Sequence, residues 1–217
     1  NTDSGDYAGT ILLGSTIDEN STSSKYNSGV GKDALSSITS GARNVAFGYL
    51  SLSKVTSNND NTAIGAFTLV NIIETAEGNS TLGSNSLNKN TTGSYNTANG
   101  YKSMYSNTTG GYNVSLGMES MFYNSTGNFN TAIGYQSLYC NNIQDGISDK
   151  NVAIGYRTLY SNYSGNNNVA IGTNVLYRNV TGNNNISICD SSGYDNISGF
   201  NNIFIGKNSN ATVGTLS

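Results

Sequence analysis

Few side chains in this sequence could carry out acid–base or nucleophilic chemistry. The 217 residues contain no His, so neither a Ser-His-Asp nor a Cys-His arrangement can form, and zinc would lack its commonest nitrogen ligand. A glycosidase needs two carboxyl groups about 5 to 10 Å apart. The close acidic pairs are Asp145 with Asp149 and Asp190 with Asp195, both in irregular stretches. We therefore expect no enzymatic activity, no cofactor and no metal site.

N-glycosylation is the other chemistry that the sequence suggests. Asn-x-Ser/Thr sequons occur eleven times, close to the number that chance would give in a chain so rich in Asn, Ser and Thr. Six of them nevertheless share one register of the repeat described below, where we expect an outward-facing turn. The sequons at Asn79, Asn113 and Asn185 begin strands and should be shielded. Whether any site carries a sugar stays open; the candidate glycosylation sites are Asn90, Asn107, Asn124, Asn162, Asn179 and Asn196.

Composition excludes several classes of protein. The net charge is −3 and charged residues make up 11% of the chain, which argues against a nucleic-acid partner because such partners require clustered Lys and Arg. No run of 18 apolar residues is present, so we expect no membrane insertion. Nothing at Asn1 resembles a signal peptide, and we expect a mature or trimmed terminus.

The elements that position these residues follow from an internal repeat. A phrase of the type Asn-x-Ala-Ile-Gly returns twelve times, and nine of the eleven intervals are 17 residues. A fixed period along the whole chain is typical of a solenoid, so we treat residues 1–217 as a single repeat domain. The repeats begin at Thr10, Asn27, Asn44, Asn61, Asn79, Asn96, Asn113, Asn130, Asn151, Asn168, Asn185 and Asn202.

The start of each repeat has the pattern of a short strand. Counting the Asn as position zero, β-branched residues are frequent at positions one and three, and position three is apolar in every repeat but that of Asn99. Position two is small in most repeats, and position four is Gly apart from Cys189. Alternation places positions one and three on one face, and positions zero and two on the other. We expect the apolar position three to form the core, so that Ile133→Asp or Ile154→Asp would disrupt the coils.

The second half of each repeat is regular as well. Position eight is Leu or Met in nine repeats, and position nine is aromatic in six successive repeats, from Tyr105 to Tyr194. Positions five, eight and nine have the spacing of a single helical turn, which we favour slightly over a second strand. The aromatic column is either structural or an exposed stripe for sugars. The predicted fold is an all-β parallel β-solenoid, or β-roll, of about twelve 17-residue coils with stacked ladders of Asn, Ile and Tyr.

Two insertions and two cysteines complete the pattern. One extra residue precedes Asn79 and four precede Asn151, as tolerated surface loops or as part of a binding face. Cys140 and Cys189 lie three coils apart, about 14 Å at 4.8 Å per coil, which is too far for a disulfide. We expect both thiols to be free.

The repeated phrase resembles the head repeats of a known protein family. Asn130-Thr131-Ala132-Ile133-Gly134 and Asn168-Val169-Ala170-Ile171-Gly172 are similar to the head repeats of trimeric autotransporter adhesins, which form parallel β-rolls. The 17-residue version also resembles repeats of tail-fibre-like proteins and of large-virus surface proteins. This resemblance implies a parallel trimer and an extracellular, cell-surface or virion-surface location.

Three functions are compatible with the sequence. The leading one is a non-enzymatic structural segment of an extracellular or virion-surface fibre that presents a surface for adhesion to a cell-surface glycan or receptor. The alternative is a structural protein that stacks end to end into a filament, glycosylated or bare. An ice-binding solenoid ranks last, because Thr occupies position one in only some repeats. The partner is therefore a second copy of the chain, as a trimer or a filament.

Overall fold

The fold, seen in a computed structural model, is a single sheet of twelve short strands. The structure describes residues 11–13, 26–73, 75–141 and 148–210. Each repeat contributes one three-residue strand, and the strands pair in parallel in chain order. The strands are β1 (Ile11–Leu13), β2 (Ser28–Val30), β3 (Val45–Phe47), β4 (Thr62–Ile64), β5 (Ser80–Leu82), β6 (Thr97–Asn99), β7 (Val114–Leu116), β8 (Thr131–Ile133), β9 (Val152–Ile154), β10 (Val169–Ile171), β11 (Ile186–Ile188) and β12 (Ile203–Ile205).

The strands pair in one register throughout, so that residues at the same position of neighbouring repeats lie side by side. Val45 pairs with Thr62, and across the longer interval Thr131 still pairs with Val152. The predicted all-β parallel solenoid is thereby confirmed. The four extra residues before Asn151 leave the strand stack unbroken, although residues 142–147 of that insertion lie outside the described part of the chain.

The inside of each coil holds the middle residue of the strand. Ala132 is fully buried, whereas its neighbour Ile133 is 36% exposed, and the same alternation holds from β2 to β12. The prediction that position three forms the core is therefore wrong, and Ile133 and Ile154 face outward. The interior is narrow, because Leu or Met at position eight belongs to the same buried cluster and leaves room for a small side chain at position two. The exception is Phe204 in β12, which packs against Gly193, where position eight has no side chain. The buried position-eight residues are Leu35, Leu52, Leu69, Leu87, Met104, Met121, Leu138, Leu159 and Leu176.

The second half of each coil is a series of turns. No helix and no second strand occurs in the described residues, so the helical turn favoured from the spacing is wrong. At positions six and eight the non-glycine residues have φ between 47° and 59°, in the left-handed region. These conformations direct backbone groups toward neighbouring coils: Phe67 donates to the Tyr49 carbonyl of the preceding coil at 2.8 Å, and Leu69 donates to the Ser86 carbonyl of the next coil at 3.2 Å. A helix would direct the same groups along its own chain.

An Asn ladder at position zero holds successive coils together. The side chain of Asn113 donates to Asn96 Oδ1 at 3.0 Å and to the Gly127 carbonyl at 2.8 Å, and its own Oδ1 accepts from the Asn130 backbone at 2.9 Å. At every step from Asn44 to Asn202, the backbone N–H of the ladder Asn donates to Oδ1 of the ladder Asn in the preceding coil, at 2.8–3.1 Å. The predicted Asn ladder is confirmed, and its buried amides are paired as buried polar groups require.

The two cysteines are free, as expected from their separation, and they differ in accessibility. Cys189 is exposed, whereas Cys140 is half-buried and burial raises the pKa of its thiol to about 11. Alkylation at pH 8 is therefore expected to modify Cys189 first and Cys140 about a hundredfold more slowly than an ordinary thiol, because the thiolate is the reactive form. Timed labelling with peptide mass spectrometry measures both rates. Equal rates at the two thiols would contradict the burial of Cys140.

Candidate interaction surface

The outward face of the sheet is a continuous uncharged surface of the protein. We call it the strand face and define it as the side chains at positions one and three of β2 to β12. None of these residues is charged, and position three is apolar in every strand except β6. They are half-buried or exposed in the single chain: Val30, Val45, Phe47, Thr62, Ile64, Leu82, Val114, Leu116, Ile133, Ile154, Ile171, Ile188 and Ile205 are examples.

Aromatic residues widen the strand face on one side. Tyr95, Tyr112 and Phe129, each directly before the first Asn of a repeat, stack with ring centroids 5.1 Å apart. All three are more than half exposed. This column was not predicted from the sequence, although its 17-residue spacing is a signal that could have revealed it.

The other side of the strand face carries a second aromatic column at position five. Tyr101 and Tyr156 are exposed there, and the rings of Tyr135 and Tyr156 stack at 5.6 Å. The central coils therefore present two uncharged strand columns, of which the position-three column is apolar in every strand but β6, between two borders that carry aromatic residues. This arrangement fits a surface that another protein covers, because aromatic residues are enriched where interfaces are most buried.

An ion pair lies at the border of the strand face. Arg43 and Asp60 occupy the position before the first Asn of their repeats and form an ion pair with Nε to Oδ1 at 2.6 Å. The hydrogen bond from Arg43 lowers the pKa of Asp60 below its usual value. Both side chains are about half exposed, and an ion pair of this kind contributes little to stability. It keeps both charges at the edge of the apolar columns.

The dimensions of the strand face suit a stable interface. From β3 to β12 it is about 43 Å long, with nine spacings of 4.8 Å between strands. Stable interfaces bury roughly 800 Å² per partner. A strip of this length reaches that area at a width of about 19 Å.

The position-nine aromatic column forms a continuous stack of rings. Its centroids are 4.9–5.4 Å apart and its ring planes lie within 2–21° of parallel, so the predicted Tyr ladder is confirmed. Lys102 and Arg157 lie over rings of this column at 5.9 and 5.6 Å. Burial raises the pKa of Tyr139 to about 12. The ring faces are occupied by neighbouring rings, which favours the structural interpretation over a sugar-binding stripe.

The six candidate glycosylation sites lie inside the solenoid. With Asn141 they form a second Asn ladder, with Nδ2–Oδ1 distances of 2.6–3.1 Å between coils. Each of the six also donates to a Gly carbonyl three residues later in its own turn. The expected outward placement is therefore wrong, because the turn points its amide inward to bond along the axis. Burial is complete or nearly complete at Asn90, Asn107, Asn124, Asn162, Asn179 and Asn196.

The remaining sequons divide into shielded and exposed ones. Asn79, Asn113 and Asn185 are buried in the position-zero ladder, as expected. Asn210 is exposed, and Asn20 lies outside the described residues. Apart from Asn20, Asn210 is thus the one sequon whose amide the folded chain leaves accessible.

The described members of the acidic pairs are engaged in ion pairs or hydrogen bonds. Asp195 pairs with Arg178 and Asp190 with Lys207, while Asp149 accepts a hydrogen bond from the Asn128 backbone at 2.7 Å. Asp145 lies outside the described residues. Within the described ranges, no cluster of three or more His, Cys, Asp or Glu could hold a metal ion.

One surface cavity lies beside the first insertion. It measures about 500 Å³, and Lys54 is the charged side chain among its described lining residues. Its lining residues are Lys54, Thr56, Ile72, Ile73, Thr75 and Thr92.

Comparisons with known proteins add no assignment. Among the described residues, no helix has the length and apolar character needed to cross a membrane. Searches against protein-family models, curated proteins and solved structures find no match to this chain.

Proposed function

We propose that this protein is a non-enzymatic structural segment of an extracellular or virion-surface fibre. Copies of the chain associate in parallel through the strand face, as a trimer around the long axis, and the remaining surface is available for adhesion to a cell-surface glycan or receptor. The observation that carries the proposal is the uncharged strand face, which runs through successive coils and exposes Ile, Val, Leu and Phe in the single chain.

A second copy of this chain is the occupant that the strand face fits best. Its position-three column is apolar in every strand but β6, and an identical parallel chain repeats with the same spacing, so these apolar side chains find apolar partners. A globular partner would match only part of a strip about 43 Å long. The interior is sealed by its own Ala and Leu residues, so the strand face is not needed to complete the core of the single chain.

The end-to-end filament remains the second candidate. Among the described strands, β12 has β11 as its one partner, and Ile203 and Ile205 are about two-thirds exposed. An open strand of this kind can pair with another strand. Filament growth would produce a wide distribution of lengths, whereas association through the strand face produces one discrete oligomer.

The test replaces an outward Ile of the strand face by a charge. Ile133→Asp is expected to leave the coil intact and to weaken association by about 3 kcal/mol per copy, roughly a hundredfold in dissociation constant, because a carboxylate would enter an apolar interface. Light scattering should show an oligomer for the native chain and a species near 22.8 kDa for the variant. Circular dichroism verifies that both are folded.

Ile197→Asp is the matched control, since Ile197 is 50% exposed but lies away from the strands. It should remain oligomeric. A native chain that stays near 22.8 kDa at every concentration would refute association through the strand face, and long filaments would favour the second candidate.

A further inference from the structure

One residue interrupts the apolar column of the strand face. Position three is apolar in every strand except β6, where it is Asn99. Asn99 is half-buried in the single chain and has its side chain on the outward side of the strand. It lies between Tyr95 and Tyr101, among the aromatic borders of the central coils.

The surroundings of Asn99 differ from those of the ladder Asn residues. The ladder amides bond to an Asn one coil away, but the neighbours of Asn99 in its column are Leu82 and Leu116. Its carbonyl accepts from the Gly117 backbone, and no hydrogen bond of the described residues uses its side chain. Within the chain, therefore, neither neighbour in its column can pair with the amide.

The rest of the position-three column selects an axial register only weakly. Its apolar side chains recur every coil, so sliding one copy by one coil replaces Ile or Leu contacts by similar ones. Apolar contacts are non-directional and depend mainly on the area buried. An amide buried in such an interface is different, because leaving it unpaired is costly and pairing it requires a second amide at the same level.

We propose that Asn99 sets the axial register and the parallel orientation of the assembled chains. The inference rests on the proposed association through the strand face. When copies align in register, the Asn99 side chains meet at one level and hydrogen-bond to each other. A slipped alignment would place each Asn99 against Leu or Ile of its neighbour, as a single buried Asn does when it selects the register of a coiled coil.

Disulfide trapping between copies can measure the register. In a Cys140→Ser, Cys189→Gly background, one chain carries Thr131→Cys and another carries Val169→Cys, two coils apart on position one. These levels are about 10 Å apart. When copies are in register, a disulfide therefore forms between two chains that carry the same substitution, but not between a Thr131→Cys chain and a Val169→Cys chain. Chains with Asn99 should give same-position disulfides in at least about tenfold excess. With Asn99→Leu, the mixed disulfide should rise to a similar yield.

A relocated amide is the matched control. The double variant Asn99→Leu, Leu116→Asn moves the polar level by one coil and should restore a single register among its own copies. Because Asn99 and Leu116 face outward, thermal melting of the separated chains should be unchanged in both variants.

The outcomes separate the inference from the proposed function. A native chain that never associates refutes association through the strand face. A native chain that associates, while Asn99→Leu keeps only same-position disulfides, overturns the role of Asn99 and leaves the proposed association in place.

Discussion

The substitution Asn113→Asp is expected to lower the free energy of unfolding by about 4 kcal/mol at neutral pH, since it leaves a buried charge without compensation. Asn113 is fully buried and its Nδ2 donates to both Asn96 Oδ1 and the Gly127 carbonyl. A carboxylate of the same shape would face these two acceptors with no hydrogen to donate. Urea unfolding followed by circular dichroism measures the loss.

The pH dependence of this loss gives a second readout. Burial and the two facing oxygens should raise the folded-state pKa of the new carboxyl above its unfolded value, because both disfavour the charged form. The destabilisation should therefore be largest above the folded-state pKa and should shrink as the pH falls through it, when the protonated acid can donate one hydrogen bond.

Asn88→Asp is the matched control for the same chemical change. Its side chain makes a single exposed hydrogen bond, to the Phe67 carbonyl at 2.8 Å. We expect a change below about 0.5 kcal/mol, as for most surface substitutions. Equal losses at Asn88 and Asn113 would show that the position-zero ladder does not hold the coils together.

The substitution Gly117→Ala is expected to lower the free energy of unfolding by about 4 kcal/mol, because backbone strain and overpacking act together. Gly117 ends β7 with φ at +137°, a conformation that L residues rarely adopt. A Cβ there would lie 2.5 Å from the Gly134 carbonyl oxygen of the next coil. Thermal melting should show the loss, because adjacent coils would have to separate.

Gly206→Ala separates the two causes. Gly206 has φ at +112°, but a Cβ there would meet no atom within 4 Å. Gly206→Ala should therefore lower the free energy of unfolding through backbone strain alone, by about 1–3 kcal/mol. Cys189 shows how a native side chain is accommodated at this position, since its φ is 95° where the glycines at position four have 112–138°. If the two alanine variants melted alike, close stacking of the coils at position four would not be the reason for Gly.

The two buried ladders and the glycines act together to produce the strand face. The amides fix each coil above the last, and the glycines allow the backbones to approach closely enough for that bonding. The outward side chains then fall into straight columns, because strand pairing places Ile133 beside Ile154 and Ile154 beside Ile171. The consequence is an uncharged strip whose side chains recur once per coil.

The repeat, the strand in each coil, the position-zero Asn ladder and the free state of the two thiols all follow from the order of the residues. A strict 17-residue period places like residues in one column, and an amide at every level can satisfy its neighbours along the axis. The composition likewise rules out the common His-dependent catalytic arrangements, because a chain without His cannot form them in any fold.

Which side of the strand faces inward depends instead on how the coil closes in three dimensions. Alternation shows that Ala132 and Ile133 point in opposite directions but not which of them is inside. Hydrophobicity favoured Ile, yet the coil closes over its own Leu138 and has space only for Ala. The same closure turned Asn107 inward in a turn that its sequence marks as exposed, and left-handed residues at positions six and eight replaced the expected helical turn. Local spacing cannot reveal these outcomes, because they depend on the volume enclosed by the coil and on bonds between residues 17 positions apart.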